Sequence, residues 1–244
     1  MSILRKIRSA FGFLLRGRLV DLFNALTRFL RLYPSLMIGD TYLFTAEPFN
    51  LRSDQTTVEP DEDIRCETNP AIIDKLLACM EGTADFPWIK PEERRKKFED
   101  FFRRKYRVWI IEFDAEVVGF IWEARHSYPY TYGDRTLVFD ELSENEAFHI
   151  FLFMNEAWRG CGLHLKLFEA VHRASPDVRF TGVVTEDNEQ SIKSHLAYGF
   201  RRNGRILHFR LFGQVFAAFR FGKTRRFLFR IKKGVPYRIS CKNN

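Results

Sequence analysis

The stretch 158-WRGCGLHLKLFEAV-171 decides how this chain is read: two glycines crowd the start of a segment whose Leu163, Leu167 and Val171 recur at helical spacing. Glycine is a poor helix former, so Gly160 and Gly162 mark a loop whose backbone must come close to something. The apolar run 147-AFHIFLFM-154 just before it predicts a strand, and the three pieces make a strand–loop–helix unit. Such a loop presents N–H groups at a helix N-terminus, where the dipole favours an anion, typically a phosphate or pyrophosphate. A glycine pair here is also ordinary punctuation. The stretch lacks both the GK[ST] of a P-loop and the full spacing of a dinucleotide fingerprint.

Downstream, 179-RFTGVVTEDN-188 reads as a strand, 188-NEQSIKSHLAYGF-200 as a short helix closing on Gly-Phe, and Ile206 to Phe212 as the next strand. Together the two segments resemble the GNAT superfamily of acyl-CoA-dependent N-acetyltransferases over about residues 60–215. Arg159 and Gly162 match that family's pyrophosphate loop, written Q/R-x-x-G-x-G/A, and Asn188, Ser191, Ile192, Gly199 and Phe200 match its N-x-x-A-I-x-L-Y-x-x-x-G-F element. The resemblance implies an α/β (α+β) fold with a mixed, mostly antiparallel central sheet flanked by helices.

It also implies direct acyl transfer from acetyl-CoA, or another acyl-CoA, to a small-molecule primary amine. Phe153, Met154, Arg159, Gly160, Cys161, Gly162, Leu163, His164, Asn188 and Ser191 would then hold the co-substrate, with strand backbone near Phe153 and Met154 donating to the oxyanion. Two positions depart from the family pattern. His164 stands where a small residue is usual, and a cationic ring there would assist phosphate binding. His195 replaces a frequent tyrosine that can protonate the departing thiolate, and is expected as the acid; Tyr198 or solvent is the alternative donor. The amine also needs a base, for which Glu123, ending an apolar strand, and Glu156, beside the loop, are the candidates, each equally at home as a surface carboxylate.

Upstream, Val108 to Phe113 and Val117 to Glu123 flank the acidic turn Asp114 to Glu116 and predict a hairpin. The segment 126-HSYPYTYGDR-135 reads as an exposed recognition loop, with His126, Tyr128, Tyr130 and Tyr132 as acceptor contacts for an amino sugar or nucleotide-linked sugar. A helix is expected after Asn69-Pro70 and another over about Lys90 to Arg104, whose mixed charges mark a solvated face rather than a nucleic-acid patch. Residues 40–70 read as a polar linker or edge segment.

The charge is uneven. Residues 1–31 carry seven Lys/Arg against Asp21 alone, and residues 201–244 carry thirteen with no acid, so an acidic body lies between basic flanks. Leu19, Phe23, Leu26, Leu30 and Tyr33 trace a basic amphipathic helix that either caps the body or lies on an anionic membrane or partner; the seven-residue charge-free run Ser9 to Leu15 is too short for an export signal or a span. The domain reading is a helical extension over 1–45, an acyltransferase domain over 46–215 and a basic, aromatic-rich extension over 216–244.

Four scattered cysteines without a CxxC pair, and histidines without HExxH, predict neither a disulfide framework nor a metal site. A reducing cytoplasm, with or without peripheral membrane association, is the expected setting. A binding module of this fold without turnover, which uses its basic flanks on membrane or nucleic acid, is the competing expectation.

Overall fold

The computed structural model describes residues 36–46, 63–83, 90–132, 135–140, 142–186, 188–211, 214–221, 224–231 and 237–240, with Leu26 alone from the preceding stretch. The amphipathic helix expected over residues 19–33 therefore lies outside the described residues, Leu26 excepted, which is helical and exposed. None of the described helices is long and apolar enough to cross a membrane.

The strands are β1 (Leu36–Ala46), β2 (Asp63–Glu67), β3 (Arg107–Phe113), β4 (Glu116–Ala124), β5 (Tyr128–Tyr132), β6 (Arg135–Asp140), β7 (Glu146–Met154), β8 (Arg179–Thr185), β9 (Arg201–Leu211), β10 (Gln214–Phe221), β11 (Thr224–Ile231) and β12 (Tyr237–Ser240). The helices are α1 (Ile73–Cys79), α2 (Pro91–Arg103), α3 (Leu163–Arg173) and α4 (Glu189–Ala197). Nine strands form one sheet in the order β11-β10-β9-β1-β8-β7-β4-β3-β2, and β12-β6-β5 form a second. Among the described residues only β7 and β8 of the large sheet run parallel, so it is mixed and mostly antiparallel as expected.

Local chemistry explains the elements the sequence made legible. Asp114 and Ala115 both have positive φ, 49° and 66°, which is the twist a two-residue hairpin between β3 and β4 requires. Asn69 Oδ1 accepts from Ala71 N at 3.0 Å and starts a 3-10 turn that runs into α1. Pro91 occupies the first turn of α2, with Glu92 and Glu93 toward its positive end and Arg103 in the last turn.

The sheet carries cores on both faces. Along β4, Phe120, Trp122 and Ala124 point to the core shared with α1 and α2, whereas Ile121 joins Trp109, Phe168 and Phe180 on the face covered by α3 and α4. Phe98 and Phe101 of α2 lie 5.5 and 5.0 Å from Trp122, ring to ring. The phenylalanines thus fill strand and helix faces, which suits their area-rich, polar-free side chains.

Three expectations change. Residues 40–46 are not linker: they belong to β1, which pairs with β8 on one side and β9 on the other. The segment 126–135 is not an open loop, because β5 and β6 form a hairpin there, with Tyr128 opposite Phe139 and Tyr130 opposite Leu137. Beyond residue 215 the chain continues the large sheet as β10 and β11, and β12 returns to pair in parallel with β6. Partners distant in sequence place β1 and β12, which no local pattern announces, whereas β5–β6, β9–β10 and β10–β11 are local hairpins that the sequence reading passed over.

Candidate active site

β7 and β8 pair from Glu146↔Arg179 to His149↔Gly182, and there the ladder ends. Both strands continue, β7 to Met154 and β8 to Thr185, so the two parallel neighbours part at their C-terminal ends. Backbone groups on the facing edges are then open to a ligand that carries amides of its own. β7 also bulges: between the pairs Phe120↔Phe153 and Trp122↔Ile150 it holds two residues against one, and Phe151 takes a φ of 55°. A bulge of this kind re-aims backbone groups and recurs beside active sites. Nothing in the sequence signals it, since phenylalanine does not favour positive φ.

The glycine loop sits beyond the end of β7. Asn155 Oδ1 accepts from Ala157 N at 3.1 Å and opens a 3-10 turn over Glu156–Trp158, while its Nδ2 donates to Cys79 O at 3.1 Å and ties the loop to α1. An Asx residue before Glu-Ala was a legible turn signal. Gly160 and Gly162 have φ of 82° and 79°, and a Cβ on either would meet nothing within 4 Å. These glycines therefore serve left-handed backbone and leave clear space on their outer side. Gly162 caps α3 and its carbonyl accepts from Leu165 N at 2.9 Å, which engages that N–H and leaves those of Leu163 and His164 to face out of the helix end. Leu163, Leu167 and Val171 are buried as their spacing predicts. Cys161 is exposed between the glycines.

Arg159 folds back, donating from Nε to Met154 O at 3.0 Å, with Nη1 3.8 Å from exposed Glu156. It fastens the loop to the end of the strand. Phe153 is buried in the α1–α2 core, so only its backbone faces the parting strands. Met154 packs with Leu163, Val118 and Ile111. His164 is half-buried, and desolvation lowers its pKa, so the cationic form expected beside a phosphate is disfavoured.

On α4, Asn188 is the N-cap, accepting from Ser191 N at 3.0 Å. His195 is buried and its Nδ1–H donates to Ser191 O at 2.7 Å. Burial pushes its pKa down to about 4, so near neutral pH the ring is not an acid ready to protonate a thiolate. Its ring lies 5.6 Å from Phe168 and 5.1 Å from Phe200, which explains the desolvation. Tyr198, the alternative donor, is also buried: its hydroxyl has no partner among the described residues, and burial holds its proton well above the ordinary phenol range.

Glu123 is fully buried and accepts from Arg107 Nη2 at 2.9 Å, from Trp109 Nε1 at 3.0 Å and from Arg125 Nε. A carboxylate so committed orders this corner of the sheet and is a poor base. Glu156, near the loop, is the more accessible candidate. His126 is exposed, while Tyr128 is half-buried and packs 5.1 Å from Phe148 against the core. Among the described residues no group of three or more His, Cys, Asp or Glu could hold a metal ion.

Comparison with known proteins agrees with this architecture. A solved conserved protein of unknown function from Staphylococcus epidermidis aligns at 13% identity and TM-score 0.56, covering 76% of this chain and 65% of that one. A GNAT-family acetyltransferase from Colwellia psychrerythraea aligns at 12% identity and TM-score 0.48, over 76% of this chain and 61% of its own. An aminoglycoside N-acetyltransferase in complex with CoA aligns at 19% identity and TM-score 0.43, over 60% of this chain and 92% of its own. The chain thus spans a little under two thirds of the first two structures. No curated protein matches it. The acetyltransferase (GNAT) family model matches residues 71–200, more than half of the sequence and the portion that holds the parting strands, the glycine loop and α4, and the chain belongs to that family.

Proposed function

We propose that the protein is an acyl-CoA-dependent N-acetyltransferase that moves an acyl group directly from the thioester to a primary amine, an amino sugar or nucleotide-linked sugar being the first choice of acceptor. The observation that carries this reading is the end of the β7–β8 ladder at His149↔Gly182, with the open-sided glycine loop and the start of α3 beyond it. In this reading N–H groups of the first turn of α3 seat the pyrophosphate, and the open strand edges bind the amides of the pantetheine arm. Backbone near the Phe151 bulge and Met154 then faces the developing oxyanion.

A neutral amine attacks the carbonyl carbon, its electron pair forming the C–N bond as the carbonyl π pair moves to oxygen; the amine proton leaves to Glu156 or to water, and collapse of the oxyanion re-forms C=O and expels the thiolate. The released thiolate is weakly basic, since an ordinary thiol has a pKa of about 8.5, and solvent suffices to protonate it. Thiol release from acetyl-CoA in the presence of an amine panel tests the proposal. Amine-dependent release is expected, and binding without release to any amine would overturn it.

A second reading, a module of this fold that binds without turnover, is favoured by one set of observations: Glu123 is held by two arginines and His195 is desolvated. The same assay separates the two readings.

A further inference from the structure

Beneath the point where β7 and β8 part lies a core that the acyl-transfer reading does not use. His149 of β7, His172 of α3 and His195 of α4 are each no more than 5% exposed. Phe180 joins the first two, 4.3 Å from His149 and 4.2 Å from His172, while Phe168 lies between His149 and His195 at 5.5 and 5.6 Å. Both ring nitrogens of His149, both of His172 and the hydroxyl of Tyr198 lack a partner among the described residues. The position is pointed: a Cβ on Gly182, which pairs with His149 in the last rung, would stand 3.3 Å from His195 Nε2 and 3.9 Å from His149 O.

We propose that His149, His172 and His195 form an acid-sensitive latch under the parting strands, which holds while all three rings are uncharged and releases cooperatively as protons reach them. An imidazolium in this aromatic setting would be desolvated without an anion to offset it. The charged groups around it do not help. Glu123, beside His149 across the β4–β7 ladder, is occupied by Arg107, Arg125 and Trp109; Arg125 itself opposes a charge on His149. His164, at the start of α3, opposes a charge on His195. Glu169 and Arg173 of α3 pair with each other at 2.5 Å, and at the base of the ladder Glu146 pairs with Arg179.

The direction of linkage follows. Burial lowers His172 to about 3, His195 to about 4 and His149 well below its ordinary value, whereas unfolded histidines titrate near 6.5. Between those values the unfolded chain binds more protons, so stability is intact above about pH 6.5 and falls as the solution is acidified. Each ring contributes up to about tenfold per pH unit in the unfolding equilibrium, and three approach about 10³-fold. Carboxylates held low, such as Glu112 by Arg65, titrate below this window.

Equilibrium urea unfolding of the full chain from about pH 7.5 to 5 tests the latch independently of any enzymatic reading. The expected slope for the wild type is at least about two protons between pH 6 and 5, and His172→Phe and His149→Phe should each lower it by about one. Phenylalanine keeps an aromatic ring and removes the unpartnered nitrogens while adding volume, so the change of slope with pH, rather than the stability near pH 7, is the readout. A smaller wild-type slope, or one that both substitutions leave unchanged, overturns the proposal. If the variants do not fold, imidazole NMR of the wild type decides in place of the variant comparison. The three rings remaining neutral to about pH 5 supports the latch, and any of them titrating near 6.5 sinks it.

Discussion

Met154 lies over Gly119, its Sδ and Cε both 2.6 Å from where a Cβ on that glycine would stand, with Phe153 O at 3.1 Å. The thioether can move, but the carbonyl belongs to a paired strand. Gly119→Ala is therefore expected to cost about 1–3 kcal/mol by overpacking, and to weaken acetyl-CoA binding because Met154 ends the strand beside the proposed site. Urea unfolding and calorimetry measure the two effects. Unchanged stability would mean that Met154 repacks freely.

Gly162→Val should weaken acetyl-CoA binding severely, because its open side faces the proposed phosphate seat. It should also carry a backbone cost of about 1–3 kcal/mol from its φ of 79°. Gly82 provides the control, since its φ is 72° and its surroundings are equally open. Gly82→Val should lose similar stability with affinity intact. Equal affinity in wild type and Gly162→Val would remove the phosphate seat.

For His195, a pKa of about 4 means that the protonated fraction is already small near neutral pH. The pH profile of turnover should then show no alkaline limb that His195→Tyr abolishes, and His195→Phe should retain activity within a few-fold wherever it remains folded. A limb that disappears in His195→Tyr would restore the acid role.

Glu123→Gln leaves Arg107 and Arg125 beside a neutral amide in a buried corner. A loss of about 1–3 kcal/mol is expected, less than breaking a fully buried ion pair costs, because Arg107 and Arg125 both keep partial contact with water. Thermal unfolding reads it. Unaltered stability with turnover abolished would instead make Glu123 the base. Glu156→Gln, at an exposed position, should leave the melting temperature within a few degrees and lower turnover if this carboxylate receives the amine proton.

What the sequence determined is whatever short-range chemistry dictates. Glycines at 160 and 162, the apolar period from Leu163 to Val171, the Asn188 cap and the acidic turn at Asp114 each fix backbone within a few residues, so loop, helices and hairpin were legible. Tertiary structure decided the rest. Residues 40–46 fall in the stretch read as a polar linker or edge, yet as part of β1 they lie inside the sheet, because its partners β8 and β9 come from the far end of the domain. His195 and Glu123 read as an acid and a base, but a side chain's protonation and reach depend on what surrounds it. Phe168 and Phe200 desolvate the imidazole, and two arginines occupy the carboxylate. Spacing along a chain carries residue type and local backbone preference; dielectric environment and charge partners exist only once distant segments have packed.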